Sequence, residues 1–159
     1  LSGERAPLWD ASARGTFFGL DAGMGRAAIA RAVLEGVAMS VRLAFESLDA
    51  SSGTHAELLH CGGGGFASDT WNRIRADMLG RRLQRLAVRD PGALGAAALG
   101  AVAAGLQPDL DTALSAAVRF DRTYQPDPKR QERADALYAL YRPAYEAART
   151  TNHALAAMR

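Results

Sequence analysis

Apolar positions in this chain return with two periods. Ile29, Val33, Val37, Val41, Phe45 and Leu48 recur every three or four residues, with Ala30, Leu34 and Ala38 as a second row beside them. That spacing predicts one long amphipathic helix, opened by the turn at Asp21 to Gly25. Two apolar rows predict that the helix is covered on most of its sides, with Glu35 and Arg42 as solvated or paired charges. Ala56 to Cys61 reads as a strand. Trp71, Ile74, Arg75, Met78 and Leu79 then follow at helical spacing, with Ser68 suited to the N-cap, Asp69 to the first turn and Gly80 to the stop. Leu83 to Val88 alternates as a strand, and Asp90-Pro91-Gly92 reads as a turn into a small-residue helix from Ala93 to Ala104. A short helix (Leu110 to Ala117), a strand-like Val118-Arg119-Phe120 and a turn at Tyr124 to Pro128 precede a long C-terminal helix, Arg130 to Ala157. Its Tyr138, Tyr141 and Tyr145 form a packing stripe, and Pro143 kinks or divides it. Nearer the start, Arg14 to Leu20 reads as a short strand between glycines. Alternating β and α segments make the class α/β.

Composition narrows this picture. At 159 residues and 48% apolar, with few aromatics and much alanine, the chain is one domain or part of one, with helices laid on a sheet. A net charge of +2 is spread along the chain. The one basic concentration, Arg73, Arg75, Arg81, Arg82, Arg85 and Arg89, runs over a helix, a turn and a strand, which argues for a solvated surface and against a nucleic-acid partner. The single cysteine, Cys61, excludes an intrachain disulfide and fits a reducing, cytoplasmic compartment. His60 adjoins it, but His55 and His153 stand apart, so no zinc set assembles and no metal ligands are expected. The apolar run Ala93 to Leu106 is interrupted by Gly95, Gly100 and Gly105 and is too short to span a bilayer, so no membrane partner is expected.

The candidate chemistry lies at Gly62-Gly63-Gly64-Gly65, between the Ala56–Cys61 strand and the Trp71 helix. Bare backbone at a strand-to-helix junction lets amide N–H groups approach a phosphate, aided by the positive end of the helix dipole. A plain flexible turn or a close strand–helix crossing is the structural alternative. Gly62-x-Gly64-x-x-Ala67 also fits a dinucleotide fingerprint, with Asp90 as the ribose-binding acid, although Phe66 is bulky for that turn and few strands follow. No GK[ST] completes a Walker loop, and no GxSxG elbow is present. What is left is a nucleotide-phosphate cradle without its own lysine. Gly92, Gly95, Ala96 and Gly100 permit close packing of the small-residue helix on a neighbour.

Several blocks, taken in order, resemble the C-terminal part of the FGGY carbohydrate kinases, and most closely the xylulokinases. Leu1-Ser2-Gly3-Glu4-Arg5-Ala6-Pro7 is similar to their Y-L-x-G-E-R-x-P segment, and Ala13 to Leu20 to A-[RK]-G-x-F-x-G-L. Ala30-Arg31-Ala32-Val33-Leu34-Glu35-Gly36 matches an A-R-A-V-L-E-G helix. Gly63 to Trp71, followed by Ala76-Asp77-Met78-Leu79-Gly80, resembles G-G-G-A-[KR]-S-x-x-W…A-D-[IV]-x-G, and Ala93 to Ala97 resembles A-L-G-A-A. Two positions depart from the pattern. Residue 28 is Ala where an acidic or amide residue is usual, which weakens a helix start, and Phe66-Ala67 replaces Ala followed by a basic residue, which bears on nucleotide contact.

The resemblance implies an actin/hexokinase-like ATPase fold, of which residues 1–159 form the last part of a ribonuclease-H-like C-terminal domain with long flanking helices. It implies phosphoryl transfer from ATP, with Mg²⁺, to a hydroxyl of a ketose such as D-xylulose. Carried over residue by residue, Gly63, Gly64 and Gly65 contact phosphate and ribose, Ser68 lies near the adenine side, and the helix around Gly92 and Gly95 packs beside the pocket. The general-base Asp, and with it all directly catalytic residues, and most of the sugar site are expected in a part that precedes Leu1. The chain, which begins abruptly, reads as about the last third of such an enzyme, inactive alone. The family likeness leaves room for a homodimer. A non-catalytic nucleotide-binding module and a dinucleotide oxidoreductase are the rival classes.

Overall fold

The computed structural model describes residues 3–158. The opening Leu1-Ser2 of the first sequence block lies outside them. The chain packs as two compact units. One is built from the N-terminal residues through His55, the segment Asp77–Gly80 and everything from Asp127 onward; the other is Ala56–Ala76 with Arg81–Pro126.

In the first unit, helix α1 spans Arg26–Ser52. Gly25 precedes it with no side-chain cap, and Gly53, left-handed at φ +67°, ends it by donating its N–H to the Asp49 carbonyl. Ala28 at its start does not prevent the helix from forming. The apolar rows, however, are not covered as predicted. Only Glu35, Ala38 and Leu43 are buried in α1, while Ile29, Val33, Val37 and Leu48 are exposed. Periodicity identifies the apolar face of a helix but not what packs on it.

Among the described residues Arg14–Leu20 forms no strand. It has no ladder partner and bends at Gly19, which takes φ +72°, and the Asn152 amide donates 3.2 Å to the Arg14 carbonyl. The expected single C-terminal helix is two, α5 (Pro128–Tyr138) and α6 (Tyr141–Ala157). Pro143 stands in the first turn of α6, where a missing N–H costs nothing but its ring bars the preceding residues from continuing a helix. Pro128 likewise opens α5 behind an Asp127 N-cap, whose carboxylate accepts from the Arg130 amide.

Polar groups tie this unit together. Asp77 is buried and accepts from Arg130 Nε at 2.6 Å and from the Asp127 amide at 2.8 Å. Arg42 pairs with Asp135, donates to the Met78 carbonyl and lies over the Tyr138 ring, whose hydroxyl donates to Glu46. Glu35 pairs with Arg31 and Arg133. Buried Asp10 accepts from the Tyr145 hydroxyl at 2.7 Å and faces His153 Nε2 at 2.8 Å, bonds that hold its carboxyl well below the usual range. Glu35 and Arg42 are thus paired charges, as the sequence predicts, and in the tyrosine stripe Tyr138 stacks on Tyr141 while the Tyr138 and Tyr145 hydroxyls bond carboxylates.

The second unit carries a three-stranded sheet in the order β1-β2-β3: β1 (Leu58–Cys61), β2 (Arg82–Leu86) and β3 (Phe120–Tyr124). β1 and β2 are parallel, with Leu59 opposite Leu83, and β2 and β3 are antiparallel, with Leu83 opposite Tyr124. The β1-to-β2 connection is the glycine turn and helix α2 (Asp69–Leu79), the crossover that parallel neighbours require. Helices α3 (Pro91–Ala103) and α4 (Leu110–Ala117) pack on each other around Ala98 and Ala113. Asp90-Pro91-Gly92 is not a free turn but a helix start: the Asp90 carboxylate caps the Ala93 amide at 3.0 Å and Pro91 takes the first helical position. Ile74, Leu83 and Tyr124 lie buried in this unit. No helix among the described residues is long and apolar enough to cross a membrane.

Candidate functional site

The tetraglycine run leaves β1 and turns through a short 3₁₀ helix, Gly64–Phe66, before α2 begins. Its four members sit in different surroundings. A Cβ at Gly62 falls 2.7 Å from Pro91 Cγ and 2.9 Å from Leu86 Cδ1, so glycine here allows the start of α3 to lie against the end of β1. Gly63 takes φ +89° and ψ 177°, a conformation reserved almost entirely for glycine. Neither reason applies to Gly64 and Gly65. Neither has a positive φ, a Cβ at Gly64 meets nothing within 4 Å, and one at Gly65 meets only Arg75 Nη2 at 3.7 Å.

The carbonyls from Gly63 to Phe66 are each engaged. Gly63 O accepts from the Phe66 amide at 3.0 Å and Gly64 O from the Ala67 amide at 3.3 Å. Gly65 O accepts from Arg75 Nη1 at 2.6 Å, and Phe66 O from Asn72 Nδ2 at 2.8 Å and Arg85 Nη1 at 3.4 Å. The amides of Gly64 and Gly65 open the turn and have no partner within it. With the oxygens tied back, the groups left to meet a ligand are N–H donors, which select for an anion. Ser68 lies just past the turn, exposed, its hydroxyl accepting from the Trp71 amide at 3.3 Å. The predicted site residues Gly63, Gly64, Gly65 and Ser68 therefore stand together at one strand-to-helix junction.

Charge is organised behind the junction. Asp69 receives the Tyr124 hydroxyl at 2.7 Å, Arg85 at 3.2 Å, and Arg122. The tyrosine bond, then the Arg122 and Arg85 charges, hold its carboxyl below the usual range. Arg85 also forks onto Asp121 at 2.9 and 2.8 Å, which lowers the Asp121 carboxyl. Arg75 and Arg85, both members of the basic run, are thus committed to internal bonds. Cys61 is buried at the end of β1, and burial raises its thiol pKa. Among the described residues no cluster of three His, Cys, Asp or Glu side chains could hold a metal ion.

Arg75 is the residue that sequence reasoning passed over, treating it only as one of a basic run and a helix-face position. It is 7% exposed and held between two rings, 4.2 Å from the Phe66 centroid and 3.6 Å from that of Trp71. The available signal was Trp71 and Arg75 at i and i+4 on one helix face. Asp90 likewise has a local duty as a helix cap, which accounts for its place after β2 without a ribose. Gly92 and Gly95 lie at the start of α3, whose Pro91 abuts Gly62, but a Cβ at Gly95 or Gly100 meets nothing within 4 Å. Those two glycines are not spacers for a close helix contact among the described residues.

With this geometry in view, residues 1–104 match the FGGY family of carbohydrate kinases, C-terminal domain. The chain belongs to that family. It is 37% identical over 133 residues to the glycerol kinase of Photorhabdus laumondii, an alignment covering 84% of this chain and 26% of that one. The crystal structure of a gluconate kinase from Lactobacillus acidophilus superposes with a TM-score of 0.81 at 31% identity, over 92% of this chain and 30% of the other. A ligand-bound xylulose kinase from the same organism gives 0.82 at 29% identity, over 97% and 31%. This FGGY chain therefore spans between a quarter and a third of the length of these relatives, and its fold is that of the actin/hexokinase-like kinases. Membership rules in favour of the carbohydrate-kinase reading and against the dinucleotide fingerprint.

Proposed function

We propose that this chain supplies part of the nucleotide pocket of an ATP-dependent carbohydrate kinase, and that all 159 residues form the last part of the C-terminal domain of the intact enzyme. Gly63, Gly64 and Gly65 contact the phosphates and ribose of the nucleotide, and Ser68 lies toward its adenine. The reaction is transfer of the ATP γ-phosphoryl group to a hydroxyl of a ketose such as D-xylulose. Relatives named for glycerol and gluconate make the sugar the part of the proposal most open to revision by assay.

In the intact enzyme a carboxylate outside this chain takes the proton of the sugar hydroxyl, while Mg²⁺ neutralises charge on the transferred group when bound. The turn's own task is to fix the nucleotide by backbone donors that need no reorganisation as charge moves. This chain contributes no acid or base within the turn, so on its own it binds rather than catalyses. The observation that carries the proposal is the contrast at Gly64 and Gly65: no close protein contact or backbone angle requires glycine there, yet both are exposed and their amides have no partner within the turn.

The test is calorimetric titration of the intact enzyme with ADP before and after Gly64→Val and Gly65→Val. A loss of at least tenfold in ADP affinity with folding intact supports the reading; unchanged affinity overturns it. Turnover of any pentulose by the isolated chain would contradict the division of labour.

A further inference from the structure

Arg75 cannot touch a nucleotide lying over the turn, because it is buried beneath it. Its guanidinium is filled on one edge by Gly65 O at 2.6 Å and Asn72 Oδ1 at 3.1 Å, and on its two faces by Phe66 and Trp71. Its charge is met by π faces and by carbonyl dipoles rather than by a carboxylate. The cation is therefore uncompensated, and its Nη2 lies only 3.7 Å from where a Gly65 Cβ would stand. Burial pushes the group below its usual range, but a guanidinium remains charged at neutral pH.

Two consequences follow. The Gly65 carbonyl is held by Arg75, which fixes the Gly65–Phe66 peptide plane, while the exposed Gly64 and Gly65 amides keep no partner within the turn. An unpaired positive charge under those amides, shielded from water, also strengthens their attraction for an anion.

We propose that Arg75 is a positioning residue of the nucleotide site: held between Phe66 and Trp71, it locks the glycine turn through Gly65 O and places a buried positive charge beneath the phosphate-facing amides. This rests on the nucleotide reading given above. It assigns Arg75 to recognition of the phosphates, not of the adenosine, and so separates it from a merely structural role.

The experiment measures ADP and adenosine binding to the intact enzyme by calorimetry, together with KM for ATP and kcat, for the unaltered protein, Arg75→Met and Arg75→Gln. Arg75→Met is expected to weaken ADP about tenfold, leave adenosine within twofold, raise KM for ATP and leave kcat at saturating ATP nearly unchanged. Arg75→Gln keeps an N–H donor for Gly65 O without the charge and is expected to fall between. If Arg75→Met does not fold, Phe66→Leu, which removes one face of the sandwich, carries the same ADP-to-adenosine readout with a smaller expected loss. An unchanged ratio of ADP to adenosine affinity in folded variants overturns the inference while leaving the nucleotide reading intact. Failure of the unaltered enzyme to bind ADP overturns both.

Discussion

A side chain at Gly62 runs into Pro91 and Leu86, and one at Gly63 fights its own backbone, whereas side chains at Gly64 and Gly65 meet open space or the edge of one guanidinium. The first pair builds the junction between β1, α2 and α3; the second is exposed, with amides that have no partner within the turn. One run of four identical residues thus holds two kinds of position: the first pair is constrained by folding, and the second is the pair that the proposed function assigns to a ligand.

The largest expected effect on stability is at Gly62. Gly62→Val places a branched side chain where even a Cβ is closer than 3.0 Å to a proline ring and a leucine, and overpacking of that kind costs about 3 kcal/mol. Urea unfolding should show the loss, and an unshifted midpoint would mean that α3 moves aside freely. Gly63→Ala comes next, at about 1–2 kcal/mol for a side chain forced into that conformation. If it were harmless, the turn would have another accessible path and Gly63 would join the second pair.

The smallest effect concerns the back of the turn. Asp69 has its folded-state pKa below the ordinary 3.8, chiefly through the Tyr124 hydroxyl. A depressed carboxylate stabilises the folded protein fully above its unfolded pKa, and that contribution is lost as pH falls through the folded value. Asp69→Asn should therefore narrow the difference in stability between pH 6 and pH 3, measured by thermal unfolding at each pH. An unaltered pH dependence would show that the Tyr124, Arg85 and Arg122 contacts are not made in solution.

How much of this was written in the sequence depends on the range of the interaction. Helices α1 and α4, the Ser68 start of α2 and the Gly80 stop follow from spacing and capping within a few residues, and so were legible. Leu58–Cys61 was legible as a strand, but β3 was placed too early, at Val118 to Phe120, because its pairing with β2 rather than its own pattern sets its limits. The strand expected at Arg14 to Leu20 has apolar residues but no ladder partner among the described residues. The division between α5 and α6 was foreshadowed by Pro143, which stands in the first turn of α6.

At the site, the glycine turn and its place before a helix were visible at once. Arg75 was not. Trp71 lies one helical turn away, but Phe66 reaches the other face only because the 3₁₀ turn folds back, and loop geometry of that kind leaves no periodic trace. The distinction between the two glycine pairs was equally hidden, since it depends on Pro91 and Leu86, residues more than twenty positions downstream.

The central claim is that the exposed amides of Gly64 and Gly65 hold the phosphates of a nucleotide. Its most direct measurement is ADP titration of the intact enzyme carrying Gly64→Val with Gly65→Val, alongside urea unfolding of the same variant. The account predicts at least a tenfold loss of ADP affinity with an unfolding free energy changed by less than about 1 kcal/mol, since a Cβ at Gly64 meets nothing and one at Gly65 meets only Arg75 Nη2 at ordinary contact distance. A folded variant that binds ADP as the unaltered enzyme does would contradict it.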